Sequence, residues 1–564
     1  MFAVHAPSSG IIRHTADTEK HTVSHFCKKL LNFSRNCCII FSQSFSGAKS
    51  SSPALQERIM RMKKHLIAAL LLCGMLLSLC LASCNSNSEE SSAAPSENSQ
   101  TASTEESKED QALVPHLGKR DLGGFTLTFL ACEPDGDFNT EQFAPEELNE
   151  EPFNDAVYNR NQRLTDEYNC YVDVVWTEGF SSYISKVEND ILSGTADYNV
   201  LMTGIQTLGA IAEKRYLYDL NNIEGSNLHL NDEWWDKSAD EAMTIEDMLF
   251  FATGDITVYD DQCTQCIFFN KDMIEAKGLD NPYQLVYDGD WTLDAMWEMC
   301  RAVAVAGGDG TMNMELDDTY GFVGAAFDTY KLIMGMDCPQ IEKDSNGTPV
   351  IAIGNERNVN AFNKAYSFMS DRSCNVYLEQ YYRWNDYDNN YKIKEHFFIG
   401  QALFLADTVW AASYEKMRAA TFNYGVLPTP KFDSEQERYV SAVDPYRFYA
   451  MAIPKVNDMD IDKVTFVLDA IAYLSKESVT PIYYEVTLKE KRFRDDDAPK
   501  MLDTIFANRC VDPSVIFNWD DCIQYYNRML FGGQSVPAFM EANGELLETA
   551  MNQCIEELRA ASNS

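Results

Sequence analysis

Between Phe125 and Met202 three short apolar runs are separated by two stretches with helical apolar spacing, and this alternation restricts the chain to a small set of layered α/β folds. Phe125, Leu127 and Phe129 alternate with Thr in a strand ending near Ala131. From about Glu151, Phe153, Val157, Leu164 and Tyr168 fall on one side of a helix. Val172, Val174 and Trp176 mark the next strand. Ile184, Val187 and Ile191 mark a second helix stopped by Gly194, and Tyr198 to Met202 a third strand. Strands joined through helices run parallel and need both faces covered. Ligands in such sheets bind beyond the carboxyl ends of the strands, so the loops after Leu130 and Met202 are cleft candidates. The first of them carries Asp135 and Asp137.

The 564 residues exceed one core and suit two or three domains. Asp and Glu number 86 against 46 Lys and Arg, a formal charge of −40. Nucleic acid is excluded as a partner, because binding there depends on cations displacing counterions. With 45% hydrophobic and 12% aromatic residues, the body of the chain is neither disordered nor fibrous.

The N-terminal part reads as processing segments. Residues 1–61 lack a sustained apolar period and are expected to be a disordered or non-native extension. Residues 62–83 read as a lipoprotein signal peptide: Arg61, Lys63 and Lys64 precede an uncharged stretch from Leu66 to Leu81, too short for a comfortable membrane span. It ends in Leu81-Ala82-Ser83-Cys84, which resembles the bacterial lipobox, and Cys84 is the expected lipidation site. Asn85 to Gln111 contains no Val, Ile, Leu, Met, Phe, Trp, Tyr or Cys. Such a segment cannot offset its ordering entropy, so 84–118 is expected to be a tether. The first 83 residues carry ten Lys/Arg and three Asp/Glu, so their removal lowers the charge to −47.

Further signals follow downstream. Thr292 is placed to cap a helix bearing Met296, Cys300 and Val303, and Asn346-Gly347 suits a hairpin. Val464, Val467, Leu468, Ile471 and Leu474 form one helix face, and Leu547, Met551, Cys554 and Leu558 another. Cys263-Thr-Gln-Cys266 has redox or zinc spacing, but no second CxxC accompanies it, and in a strand residues three apart point to opposite faces. Buried thiols are expected there. A disulfide between other pairs remains an alternative for a secreted chain.

At these segments the chain resembles extracellular solute-binding proteins of family 1, the class that includes maltose-binding protein. The likeness is carried by "GDITVYDDQCTQCIFFNKDMIEAKGL" from Gly254, "GDWTLDAMWEM" from Gly289, "FFIGQALFLADTVW" from Phe397, "YGVLPTPKFDSEQERY" from Tyr424 and "PIYYEVTLKEKRFRDDDAPKMLDTI" from Pro481, together with the lipobox. It implies a type II periplasmic-binding-protein fold: α/β, a two-lobe Venus-flytrap with discontinuous lobes. Lobe 1 is expected over 119–258 and 447–480, lobe 2 over 263–442 and 481–564, with crossings near 259–262, 443–446 and 480. It further implies a monomer on the extracellular face of the cell membrane, lipid-anchored, that hands a carbohydrate to the permease of an ABC importer, with no cofactor and no metal.

Sugars present apolar C–H faces and a ring of hydroxyls, so a sugar site needs aromatic plates and carboxylate or amide acceptors. Trp410 occupies the place in "ALFLADTVW" where maltose-binding protein has a sugar-stacking Trp, and Asp407 precedes it by three residues. Trp234 and Trp235 lie in a polar stretch and Trp519 within Asn-Trp-Asp-Asp; each is balanced between cleft and packing. Trp176, Trp291 and Trp297 are expected in the core. Asp260 and Asp261 sit at the first crossing. Asp135, Asp137, Asn139 and Glu141 alternate as calcium ligands do, but the EF-hand glycine is not matched.

Two rival classes remain. After Cys84 the chain has only His116, His229 and His396, with no HExxH, GxSxG or phosphate loop, which argues against zinc or serine hydrolysis. A secreted glycosidase needs only two carboxylates. The other rival is a surface lipoprotein that binds glycans or signals without transport.

Overall fold

The computed structural model of the protein describes residues 113–132, 142–177, 179–313, 317–381, 387–456, 458–485 and 495–563. The extension 1–61, the signal segment 62–83, Cys84, the tether up to residue 112, and Asp135 and Asp137 lie outside the described residues.

The strands in chain order are β1 (Phe125–Cys132), β2 (Cys170–Thr177), β3 (Val200–Gly204), β4 (Gln265–Asn270), β5 (Tyr320–Gly324), β6 (Ile341–Lys343), β7 (Pro349–Ile351), β8 (Asn375–Tyr377), β9 (Ala402–Thr408), β10 (Tyr424–Leu427), β11 (Ser441–Ala442), β12 (Tyr449–Ala452) and β13 (Arg509–Cys510). They sort into two principal sheets, β12-β3-β1-β2 in lobe 1 and β10-β4-β9-β5-β8 in lobe 2. β1 pairs parallel with β2 from Phe125↔Cys170 to Cys132↔Thr177, and with β3 on its other side. Two helices make these crossovers, α1 (Pro152–Tyr168) and α2 (Gly179–Ser193). α1 starts where the Glu151 carboxylate accepts the N–H groups of Phe153 and Asn154, and Pro152 at its head has no N–H to satisfy. Its buried face carries Phe153, Val157, Leu164 and Tyr168.

Strand direction locates the cleft. Among the described residues, in lobe 1 only β12 runs against its neighbour, and in lobe 2 only β4 opposes the strands beside it. Each of these two strands is the first its lobe receives after a crossing, so each runs away from the junction. The strands around them therefore end at the junction. Gly204, at the end of β3, pairs with Tyr449 at the start of β12, and Thr408, at the end of β9, with Gln265 at the start of β4. The carboxyl ends of both sheets thus converge, as the resemblance implies for a type II periplasmic-binding-protein fold.

The segments expected as the first two crossings lie side by side. Thr264 bridges Val443, and the Asp444 N–H donates to Cys263 O. A Cβ at Gly204 would lie 2.2 Å from Tyr446 O, so only glycine permits the approach of β3 to the second crossing. Cys263 and Cys266 are buried thiols. Thr292 accepts from the Ala295 N–H at 3.2 Å, and β6 and β7 form a hairpin around Gly347 at φ 76°.

Contacts cross two of the expected boundaries. Ahead of residue 119, Val114 is buried and its N–H donates to Tyr168 Oη at 2.9 Å. Residues 481–564 make contacts with segments expected in each lobe. The helix Pro513–Phe517 sits on α3 (Ile205–Ala212) of lobe 1, where the lack of a side chain at Gly209 lets Ile516 O approach. Tyr526 stacks on Phe362 of lobe 2, in the helix α4 (Glu356–Ser370). The last helix, α6 (Val536–Ser562), follows α5 (Ile461–Ser478) in our numbering and ends on lobe 1. There Glu557 meets Arg215, Arg559 meets Glu246, and Lys455 Nζ donates to Ala561 O. The β6–β7 hairpin makes a further lobe contact, with Lys343 Nζ donating to the carbonyls of Glu241 and Ala242. The apolar C-terminal segment is thus buried by straddling both lobes.

Candidate functional site

Two groups of side chains occupy the junction. The first surrounds Arg509, in β13, which pairs with β11 beside the hinge. Its guanidinium reaches three carboxylates: Asp236 of lobe 1, and Asp260 and Asp261 of the first crossing, at 3.1 and 2.6 Å for the latter two. Its Nε donates to Thr264 Oγ1 at 3.0 Å. One cation cannot neutralise three anions. Burial pushes the Asp261 carboxyl up to about 6, with Arg509 opposing the rise, and pushes Asp260 well above the usual carboxylate range. Arg509 itself is held charged by the carboxylates despite its burial.

A cavity of about 260 Å³ opens against this group, lined by Glu233, Trp235, Asp236, Asp255, Asp260, Asp261, Thr480 and Tyr484 among others. It lies between the lobe 1 loops and the first and third crossings. Its volume is close to the ~300 Å³ lower end of small-molecule pockets. Burial also raises the Asp255 carboxyl. The lining is rich in hydroxyl acceptors and poor in cations.

The second group lies at the carboxyl end of the lobe 2 sheet. Asp407, near the end of β9, accepts from Lys394 Nζ at 2.6 Å and from the Thr408 N–H at 2.8 Å. Lys331 Nζ lies 2.8 Å from Asp328. Burial works against both ammonium groups, yet Asp407 for Lys394 and Asp328 for Lys331 hold them charged above the ordinary lysine range. The Glu379 carboxylate accepts the Ala326 N–H at 2.7 Å, and its pKa is raised by burial. Aromatic rings flank these charges. Phe327 stacks on Tyr330 at 5.2 Å, Lys394 lies over Tyr414, and Trp410 is half-buried in the turn Val409–Ser413 directly after β9. In the second crossing, burial pushes the Tyr446 phenol up to about 12.

The structure brings Asp260 and Asp261 to the cavity, and Asp407 and Trp410 to the lobe 2 side of the junction. Of the other candidate tryptophans, Trp235 alone among the described residues reaches the cavity. Trp234 is buried in lobe 1, its indole N–H donating to Asp469, so its role there is packing. Trp235 donates to the same carboxylate, and its edge reaches the cavity. Trp519 is buried against Phe517 at 5.3 Å and 12°, beneath the C-terminal helix rather than in a cleft. Trp291 is buried, as a core residue should be, whereas Trp297 is only partly buried, under Arg301 at 4.0 Å. Trp176 is also partly buried, at the junction end of β2 and edge-on to Phe143. Arg509, Asp236, Lys331 and Lys394 were not legible as site residues; the one signal was Asp236 directly after two tryptophans.

No family model matches the chain, and no curated protein matches its sequence. Solved structures do resemble it. The chain is similar to the ABC substrate-binding protein Lmo0181 from Listeria monocytogenes, solved with cycloalternan, at 14% identity over 77% of this chain and 98% of that one, with a TM-score of 0.48. It is similar to the cyclic alpha-maltosyl-1,6-maltose binding protein from Arthrobacter globiformis at 13% identity, over 78% and 100%, with a TM-score of 0.49. It is also similar to UgpB from Mycobacterium tuberculosis, solved with glycerophosphocholine, at 12% identity, over 77% and 100%, with a TM-score of 0.49. Their ligands are those proteins' own.

Proposed function

We propose that this protein is the substrate-binding lipoprotein of an ABC importer, lipid-anchored through Cys84 on the extracellular face of the membrane and capturing a carbohydrate between its lobes. The observation that carries this reading is the convergence of both sheets' carboxyl ends on a junction holding buried carboxylates, lysines and aromatic rings. Carboxylates and lysines fix hydroxyls, and rings such as Trp410 cover C–H faces. The acidic cavity favours a neutral, hydroxyl-rich ligand over a polyanion. A two-stranded hinge between two packed lobes suits closure on a ligand.

The test is a thermal-shift screen of neutral oligosaccharides and monosaccharides, followed by calorimetric titration. A true ligand at 100 times its dissociation constant adds about 2.7 kcal/mol of stability. Recovery of the sugar unchanged after prolonged incubation marks a binder. Release of monosaccharide would overturn the reading in favour of a glycosidase, and absence of binding to any sugar would remove carbohydrate from it.

A further inference from the structure

Of the three histidines that follow Cys84, two converge on one buried carboxylate. Asp469 lies in the middle of α5, and its side chain is wholly inaccessible. Its Oδ1 accepts three N–H groups: the backbone of His229 at 2.9 Å, the Trp235 indole at 3.0 Å and the Trp234 indole at 3.2 Å. These donors fix the carboxylate plane and leave Oδ2 directed at two imidazoles. His116 Nε2 is 2.6 Å from Oδ2 and His229 Nδ1 is 3.2 Å from it. The two rings stand 4.6 Å apart at 77°, and the His116 ring stacks on Trp234 at 4.7 Å. All three ligand atoms lie within 4.8 Å of one another.

We infer that His116, His229 and Asp469 form a binding site for a first-row divalent transition metal, with zinc the best fit. Two imidazole nitrogens and one carboxylate oxygen are a zinc donor set, and the partly exposed histidines leave a fourth position for water. The indole and amide donors on Oδ1 do what outer-shell partners do at metal sites: they orient the ligating carboxylate and hold its second oxygen free. Calcium and magnesium are disfavoured, since they take oxygen ligands.

The position gives the site its consequence. His116 lies in the turn where the chain enters lobe 1, His229 in a loop, and Asp469 in the helix that leads to the third crossing. A bound ion would staple the entering segment to that helix, about 350 residues away in sequence but in contact in space. The three ligand residues do not line the junction cavity, and among the described residues the site touches it only through Trp235, whose indole donates to Asp469 and whose edge reaches the cavity, so zinc binding is read separately from the proposed ligand class.

The experiment uses the full chain, stripped with chelator and titrated with Zn²⁺ by calorimetry, with Co²⁺ as a spectroscopic probe. One equivalent should bind, the melting temperature should rise, and the cobalt form should show visible d–d absorption without a thiolate charge-transfer band. His116→Ala and Asp469→Asn should each weaken Zn²⁺ binding at least about 100-fold, and Trp235→Phe by about 10- to 100-fold through loss of the outer shell. Asp469→Asn keeps an acceptor for the three N–H groups, so it should fold, as circular dichroism would verify. Unchanged zinc affinity in folded Asp469→Asn, a thiolate band showing that cysteines hold the metal, or no zinc binding by the wild type would each overturn the assignment.

Discussion

Asp469 and Asp260 are both buried carboxylates, yet one has its partners inside a single lobe and the other shares a guanidinium across the junction. Asp469 has three N–H donors on one oxygen and two imidazoles facing the other. Asp260 competes with Asp236 and Asp261 for Arg509, and burial raises its pKa well above the ordinary value. The difference follows from what each region must do. For Asp469 the donors come from one packed body and satisfy both oxygens. At a hinge the partners come from separate bodies, and a surplus of one sign stores a preference for whatever fills or rearranges the gap.

The contrast breaks most clearly at Arg509. Arg509→Met should cost about 3–5 kcal/mol in a denaturant melt at pH 8, because it strands three carboxylates with no cation between them. The loss should shrink at pH 5, where protonation relieves the repulsion. A variant as stable as wild type at pH 8 would show that the cluster is more solvated than its burial implies.

Asp261 gives the next effect. Its carboxyl binds a proton more tightly in the fold, at about 6, than in the unfolded chain, at the ordinary 3.8. The fold therefore gains from protonation of this group, and its contribution falls as pH rises from about 4 to 6, then stays flat. Asp261→Asn should remove that slope, so its stability relative to wild type should improve by about 1–3 kcal/mol between pH 4 and 6.5. Chemical denaturation across that range checks it. A constant difference would mean that Asp261 ionises normally beside Arg509.

Trp410 and Trp291 separate the cleft from the core in the same way. Trp410→Ala should lose about 1–3 kcal/mol of sugar affinity with little change in melting temperature. Trp291 is wholly buried, with its indole N–H donating to Pro428 O, so Trp291→Ala should cost about 3–5 kcal/mol of stability. Trp297→Ala should cost less than Trp291→Ala, since its ring is partly exposed. Trp410→Ala that melts early yet binds normally would make Trp410 packing.

The apolar rhythm from Phe125 to Met202 made the lobe 1 sheet legible, because strand and helix periods are local properties of sequence. The clusters were not legible, because they join residues far apart in the chain. Arg509 meets Asp236 from 273 residues away and Asp260 from 249. Trp234 and Trp235 stood balanced between cleft and packing because they lie among polar neighbours. Their burial depends on an acceptor 235 and 234 residues later, Asp469. A signal did exist: Asp469 interrupts Phe-Val-Leu-Asp-Ala-Ile within an apolar helix, and a carboxylate there must have buried donors. The contacts of the C-terminal segment were not legible for a related reason. Its apolar spacing shows that Leu547, Met551, Cys554 and Leu558 are buried but not against which lobe.

The smallest expected effect lies where α6 ends on lobe 1. Arg559 pairs with Glu246 across two partly exposed side chains, and such pairs contribute about 0–1 kcal/mol. Glu246→Gln should therefore barely shift a denaturant midpoint. It should instead show in hydrogen exchange, since the last turns of α6 are also held by Glu557 to Arg215 and by Lys455 to Ala561 O. Ser562 is also bonded to Asp219 and Asn222, so with one of these ties cut, amides after Cys554 should exchange faster while those of β1 and β3 keep their rates. If α6 acts only as lobe 1 packing, sugar affinity will be unchanged. If it restrains the lobes, which it touches at both ends, Glu246→Gln will alter affinity and exchange together, and α6 must then be counted with the hinge.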